Sequence, residues 1–274
     1  MQSDSKMKKL LLMGRSGAGK TSMHSIIFAN YAAKETMNIG FTVGVSESKF
    51  RFMGSLTLNL WDCPGQDRLM KHFMSSQKDT IFKNVEVLIY VFDVESEQLE
   101  DDMADYKTCV QNLVNYSKNA NIFVLIHKMD KIADTEKAKV FEKKKKEIAE
   151  NTIGMTIKEC FGTSIWDDTL YKAWSQIVQL MIPNMSFIKD TLKQFSTVSD
   201  CDEVVLFEKS TFLIIAYHEN LVNKDIVKYE RLSTIVKQFK LSCNKIGTSI
   251  QSMLIKNSNF MGFIEEFTNN TYIM

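Results

Sequence analysis

Gly14-Arg15-Ser16-Gly17-Ala18-Gly19-Lys20-Thr21 fills every fixed position of the G-x-x-x-x-G-K-[ST] phosphate-binding pattern. Its flanks carry as much information as the loop. Lys9-Leu10-Leu11-Leu12-Met13 immediately before it reads as a buried strand. Thr21 to Tyr31 immediately after it places Met23, Ile26, Ile27 and Tyr31 at helical spacing. A loop between strand and helix suits phosphate for two reasons. Gly14, Gly17 and Gly19 let the backbone wrap with its N–H groups inward, and the helix N-terminus adds the positive end of its dipole. Gly14, Arg15, Ser16, Gly17, Ala18, Gly19, Lys20, Thr21 and Ser22 are therefore the expected phosphate-binding residues. Lys20 is placed to reach the β- and γ-phosphates, and the Thr21 hydroxyl to ligate Mg²⁺.

The rest of the chain bounds what this loop serves. At 274 residues, 45% hydrophobic and 24% charged, it can bury one large core or two smaller ones. A net charge of +1 excludes a global pull toward nucleic acid or anionic membrane. The one basic run, Lys143 to Lys146, reads as the solvated face of a helix. The 5 cysteines are scattered and lack metal-ligand spacing, so free thiols in a reducing compartment are expected. Residues 1–6 are polar and expected to be disordered. No run approaches the length of a membrane span, and no lipidation signal is present, so neither direct membrane insertion nor nucleic-acid binding is expected.

Strands and helices alternate through the first two thirds. A hairpin (Glu47–Met53 and Leu56–Asp62, turning at Gly54-Ser55) precedes a buried strand at Val85–Val94 and a helix at Gln98–Ser117. A strand at Asn121–His127, a helix at Thr135–Asn151, a strand near Lys158–Gly162 and a helix at Trp166–Met181 complete the series. This order predicts an α/β fold with a mostly parallel, doubly wound sheet. After Pro183 the pattern changes to a helix (Phe187–Val198), two strands (Glu203–Glu208, Phe212–Tyr217), a long helix (Ile226–Cys243) and further strands from Ile250. That is an α+β order, which predicts a first domain over 7–183 and a second over 184–274.

A phosphate loop alone leaves ATPases, nucleoside kinases and GTPases open. Asp62-Cys63-Pro64-Gly65-Gln66 ends a hairpin strand: Asp62 can hold Mg²⁺ through water, the Gly65 N–H can bond a γ-phosphate, and Gln66 can orient the attacking water. Thr42, in the loop between the first helix and the hairpin, can ligate Mg²⁺ only when a γ-phosphate is present, which makes that loop a sensor. His127-Lys128-Met129-Asp130 follows a strand. The Asp130 carboxylate can accept both N1–H and N2–H of guanine, a donor pair adenine lacks, while the Lys128 stem lies along the sugar. Ser164 and Ile165, after the last strand, can meet guanine O6 through backbone N–H. Gln66, Lys20 and Thr42 are the expected catalytic set, with Thr21, Thr42 and Asp62 for the metal.

In this order the five segments resemble the Ras-like small GTPases. Longer stretches narrow the resemblance to Rag GTPases of the A/B type: Lys20 to Tyr31, Asn59 to Cys63, Asn84 to Ser96, Thr163 to Asp167, Thr169 to Ser175 and, further on, Phe239 to Cys243. His127, where most small GTPases carry Asn, is usual in this branch. The resemblance implies a Ras-like GTPase domain followed by an α+β roadblock/longin-like domain, with GTP/GDP and Mg²⁺ as cofactors. It further implies a heterodimer with a C/D-type Rag subunit through the C-terminal domain, docking on a lipidated membrane scaffold, and output to target-of-rapamycin complex 1. The expected location is cytoplasmic, with peripheral recruitment to the lysosomal or vacuolar membrane.

Two departures stand out. The family usually has Gly where Pro64 stands, so the root of switch II should be stiffer. The chain ends at Met274 where the family continues, so either the second domain is truncated or a partner covers an unpaired sheet edge. Arg15 and Arg68 are the candidate arginines for a finger in cis, with structural or solvated roles favoured for both. Intrinsic hydrolysis is then expected to be slow, on the order of 10⁻⁴ s⁻¹, and to require a GTPase-activating partner in trans. A permanently loaded scaffold without switching and a P-loop kinase are the competing readings; the second leaves Lys128 and Asp130 unexplained.

Overall fold

The computed structural model describes residues 7–40, 42, 44–52, 56–64, 77–220, 235–240, 242–243, 251–256 and 261–274. The expectations for residues 1–6, the turn at Gly54-Ser55, Gly65, Gln66, Arg68 and most of the helix after Ile226 lie outside the described residues.

The first unit is a 6-stranded sheet of β1 (Met7–Met13), β2 (Ser46–Arg51), β3 (Thr57–Asp62), β4 (Val85–Asp93), β5 (Asn121–His127) and β6 (Ile157–Thr163), in the order β2-β3-β1-β4-β5-β6. Only the β2–β3 pair is antiparallel. The apolar runs of β1, β4 and β5 are unbroken because both faces are covered, and their period of 2 sorts them to opposite sides. Leu10, Leu12, Val87, Ile89, Val91, Phe123 and Leu125 enter one core. Leu11, Met13, Leu88, Tyr90, Ile122, Val124 and Ile126 enter the other.

Helices complete each layer. α1 (Lys20–Phe28) and α5 (Thr169–Gln179) pack Met23, Ile27, Trp174 and Ile177 on the first face. On the second face, α2 (Lys78–Phe82), α3 (Leu99–Tyr116) and α4 (Asp134–Glu150) bury Phe82, Tyr106, Leu113 and Ile148. Strand order reverses at β1, whose neighbours are β3 and β4. That switch point opens a crevice at the carboxyl ends of the strands, where the phosphate loop lies.

The second unit is a 5-stranded antiparallel sheet, β8-β7-β11-β10-β9, of β7 (Glu203–Glu208), β8 (Ile214–Glu219), β9 (Ser252–Lys256), β10 (Met261–Thr268) and β11 (Thr271–Ile273). β11 is an interior strand between β7 and β10, so the sheet edges are β8 and β9. β8 begins two residues later than predicted. Phe212 sits at φ +58°, a left-handed backbone that cannot continue a strand, and its N–H closes a turn onto Glu208 O at 2.9 Å.

The units share a core. Leu192 of α6 (Met185–Val198), Val204, Leu206, Leu213 and Ile215 join the α1/α5 cluster. Ser175 of α5 accepts the Ile214 N–H at 3.1 Å, and Gln179 donates to Ile214 O at 3.0 Å. Lys237, in a helical stretch over 235–240, is buried and donates to Ile26 O at 2.6 Å and Ile27 O at 3.2 Å. These are last-turn carbonyls of α1, which lack helical partners and carry the negative end of the dipole. Burial lowers the Lys237 pKa to about 7.

Candidate nucleotide site

β1 feeds the loop and α1 leaves it, so the loop must turn sharply between two buried elements. Gly14 shows why no side chain is tolerated: its φ is +138°, and a Cβ there would lie 2.3 Å from Val91 O of β4. At Gly19, with φ +93°, a Cβ would sit 2.7 Å from Cδ2 of His127. The imidazole of His127 therefore fills the space that a glycine leaves, packing β5 directly under the phosphate loop.

The loop opens into a cleft of about 610 Å³ whose lining includes Ser16, Gly17, Gly19, Lys20, Thr21, Ser22, Thr42, His127, Lys128, Asp130 and Ile165. The sequence-predicted phosphate and base segments thus share one cavity. Its electrostatic centre is Lys20, which is 5% exposed and donates to Gly14 O at 2.7 Å and Arg15 O at 2.9 Å. An ammonium has three N–H donors, so one remains for the cleft. Burial lowers the Lys20 pKa and the nearby Asp62 opposes that shift; burial raises the Asp62 pKa, against the pull of Lys20 and of the Thr21 hydrogen bond.

Three oxygen-bearing side chains from three elements converge beside Lys20. Thr21 Oγ1 donates to Asp62 Oδ2 at 3.0 Å and lies 2.7 Å from Thr42 Oγ1. A hydroxyl has one proton, so with the Thr21 proton committed to Asp62, Thr42 is the donor to Thr21. Asp62 is 3% exposed, and among the described residues its Oδ1 is buried without a hydrogen-bond partner. Hard oxygen donors, one of them an orphaned carboxylate oxygen, fit Mg²⁺, which is held by few protein ligands and completes its shell with water and phosphate. Thr21 and Thr42 would hold it directly and Asp62 through water; bound there, it supplies charge neutralisation between phosphate oxygens.

At the other end of the cleft, Ser164 Oγ donates to Asp130 Oδ1 at 2.6 Å and accepts the Trp166 N–H at 3.0 Å. The serine hydroxyl thereby fixes the carboxylate expected to read the base. The Ser164 N–H, expected on guanine O6, instead donates to Thr169 Oγ1 at 2.9 Å; Ile165, the other predicted residue, lines the cleft. Asp167 accepts the Thr169 N–H at 3.0 Å and its hydroxyl as well, which holds 164–168 as a turn and delays α5 past its predicted start. Lys128 has φ +64° and donates to Asp93 Oδ2 at 2.6 Å, so its stem is held in one direction across the cleft wall.

His127 and Arg15 serve the site from outside the cleft's chemistry. His127 is 2% exposed, with Nδ1 2.9 Å from Thr163 Oγ1. Burial, and then the Lys128 charge, lower its pKa to about 4. The folded state therefore holds a neutral imidazole where the unfolded chain titrates near 6.5, and the associated stability is complete above pH 6.5 and lost as pH falls toward 4. Relative to His127→Asn, the wild type should lose about 2 kcal/mol between pH 7 and pH 5. Urea unfolding of both proteins at the two pH values tests this, and parallel losses would remove His127 as the cause. The Arg15 side chain turns to α3, with Asp101 at 3.4 Å, Asp102 at 3.3 Å and Asp105 at 4.0 Å. Any contribution of Arg15 to phosphate comes from its backbone.

Comparison with known proteins agrees with this geometry. The Gtr1/RagA G protein conserved region matches residues 9–236. The chain is 51% identical to Ras-related GTP-binding protein A of Dictyostelium discoideum, over 97% of this chain and 88% of that protein. It is 45% identical to Ras-related GTP-binding protein B of Rattus norvegicus, over 97% of this chain and 79% of that protein. A more distant likeness, 25% identity over 83% of this chain and 57% of the other, links it to Ras-related GTP-binding protein C of Homo sapiens. With the phosphate-loop motif, the Thr21 and Thr42 oxygens and the Asp130 carboxylate along one cleft, the chain belongs to the Gtr1/RagA family of G proteins, which bind GTP and GDP with Mg²⁺ and hydrolyse GTP.

Proposed function

We propose that this chain is the A/B-type half of a nucleotide-switched Rag heterodimer that relays amino-acid sufficiency to target-of-rapamycin complex 1. Its place of action is the lysosomal or vacuolar surface, reached through a lipidated scaffold; among the described residues no helix is long and apolar enough to cross a membrane. The observation that carries the switch is the Thr42–Thr21–Asp62 chain of hydrogen bonds. It ties a loop between α1 and β2, the helix start and the end of β3 to one point, where these three side chains would hold Mg²⁺ and the ion would supply positive charge to the phosphates. A γ-phosphate that orders Thr42 therefore orders the segment between α1 and β2, and its loss releases that segment.

Gly14 to Ser22 cradle the phosphates, Lys20 neutralises them, and Asp130, Lys128 and Ile165 read the base, with His127 and Ser164 positioning. Gly65 and Gln66 keep the γ-phosphate and water-orienting roles assigned from sequence. Residues 7–183 form the GTPase domain and residues 184–274 the roadblock-type dimerisation domain. In the second unit Phe239, Leu254, Met261, Phe263 and Phe267 are each more than half exposed, apolar area suited to a partner subunit of C/D type.

The test is co-expression of the full chain with a C/D-type Rag subunit, followed by capture of target-of-rapamycin complex 1 by the purified pair. Loading with a non-hydrolysable GTP analogue should retain the complex at least about tenfold better than loading with GDP, a difference of roughly 1.4 kcal/mol. Equal retention would leave the chain a permanently loaded scaffold, and failure to co-purify would remove the heterodimer.

A further inference from the structure

Arg15 turns its side chain away from the nucleotide cleft, yet its backbone carbonyl helps to aim the principal cation of the site. Lys20 Nζ donates to Gly14 O at 2.7 Å and to Arg15 O at 2.9 Å, and the Ala18 N–H reaches Arg15 O at 3.3 Å. The direction left to the third ammonium proton therefore depends on where these two carbonyls stand. Gly14 is held by close packing against β4, where Val91 O leaves no room for even a methyl group. Beside Arg15 the loop faces a recess of about 270 Å³ instead, lined by Arg15, Ser16, Tyr90, Asp93 and Asp102 among others. Ser16 and Gly17 are exposed, and the Arg15 side chain reaches α3: Nε lies 3.3 Å from Asp102 Oδ1 and Nη1 3.4 Å from Asp101 Oδ2. Asp102 is 4% exposed, a depth at which a carboxylate is rare unless paired. Stability alone does not explain it, because well-packed apolar side chains serve a buried contact as well as an ion pair does. What a charged pair adds is a fixed direction.

We infer that Asp102 is a positioning residue for Lys20: it holds the Arg15 side chain against α3, and so holds Arg15 O where it aims the Lys20 ammonium into the cleft. This rests on the nucleotide reading of the cleft and adds a lever to it. Asp102 lines the recess on the α3 side of the loop, apart from the residues that line the nucleotide cleft. Its effect passes from carboxylate to guanidinium, along residue 15 to the carbonyl, and from the carbonyl to the ammonium. Lys20 is the group placed to reach the β- and γ-phosphates. The lever therefore acts on nucleotides that carry a β-phosphate and leaves a monophosphate alone. A shift of the first turn of α3 changes phosphate affinity in this way without touching the nucleotide.

The experiment uses the full 274-residue chain and competes GDP and GMP against fluorescent GDP, reading the ratio of the two affinities. Lys20→Met sets the scale and should lower the GDP-to-GMP ratio by about a hundredfold, the loss of one charge-assisted contact to phosphate. Asp102→Asn should lower the same ratio by about tenfold while GMP stays within about twofold of wild type, because Lys20 is misaimed and not removed. Arg15→Lys should stay within about threefold of wild type, since an ammonium can still pair with Asp102. The double variant Arg15→Met/Asp102→Leu removes both charges together and does not depend on the asparagine variant folding. Its ratio should fall by about the same tenfold, since a chain broken at one link loses nothing more at the next. An unchanged ratio in Asp102→Asn or in the double variant overturns the proposal. So does an equal loss for GDP and GMP, which is what a merely structural role produces. The parent reading fails differently: a wild-type ratio in Lys20→Met would mean that Lys20 does not meet a β-phosphate, which removes the phosphate site itself.

Discussion

Thr21→Asn should deprive the chain of its GTP state while leaving GDP binding within a fewfold of wild type. The hydroxyl of Thr21 is the middle member of a three-group chain, 2.7 Å from Thr42 and 3.0 Å from Asp62. An asparagine at this position is longer by one heavy atom, so its amide cannot occupy the same point between both neighbours. The amide N–H₂ can still satisfy Asp62, which keeps the buried carboxylate partnered and the fold intact. What is lost is a compact oxygen facing the metal site, together with the acceptor that receives the Thr42 proton. Mg²⁺ held by these side chains would contribute several kcal/mol to nucleotide binding, more for the triphosphate, which carries more negative charge. Loss of about 3 kcal/mol corresponds to roughly a hundredfold weaker Mg²⁺–GTP binding. Titration of fluorescent GDP and a fluorescent non-hydrolysable GTP analogue in the presence of Mg²⁺ measures the ratio. A wild-type ratio in the variant would show that Thr21 is not the residue through which the γ-phosphate is sensed.

What could be read from the chain alone divides along the range of the interactions. β1, β4 and β5 were legible because a strand buried on both faces needs an unbroken apolar run, and their alternation into two cores follows from strand geometry. Gly14 and Gly19 were legible as glycines, but the reasons for them, Val91 O and the His127 ring, are 77 and 108 positions away in the chain and appear only when β4 and β5 take their places beside β1. Arg15 is a similar case. Asp101, Asp102 and Asp105 are an unremarkable acidic first half of a helix until α3 is laid against the loop, and only then do they claim the guanidinium. Ser164 was expected to offer its N–H, but that N–H is taken by Thr169, and its hydroxyl bonds Asp130. The position of β11 between β7 and β10 is a pairing choice among strands of similar pattern, which local sequence does not encode. Lys237 lies within the predicted helix Ile226–Cys243, and its buried link to α1 is non-local in the same way.

The base end of the cleft yields the other large effect. Asp130→Asn should weaken GDP by about a thousandfold and raise XDP above it in affinity, the scale on which a site built around paired hydrogen bonds rejects a base that mismatches them. The argument turns on which side-chain atom faces which base atom. Ser164 Oγ already accepts the Trp166 N–H at 3.0 Å, so its own proton is directed at Asp130 Oδ1. In the asparagine variant that proton continues to select a carbonyl oxygen, leaving the amide N–H₂ toward the base. Guanine presents two donors there, N1–H and N2–H, and the second now meets a donor, leaving two N–H groups unpaired in a confined site. Xanthine replaces the amino group with a carbonyl oxygen, which the amide N–H₂ satisfies while Oδ1 accepts N1–H. Ser164→Ala in the same background should erase most of the gain for XDP, because nothing then decides the amide orientation. Competition of GDP, XDP and ADP against a fluorescent nucleotide reads all three affinities at once. A variant that still prefers GDP to XDP would mean that Asp130 does not touch the base, and the guanine assignment would have to rest on Ile165 and Lys128 alone.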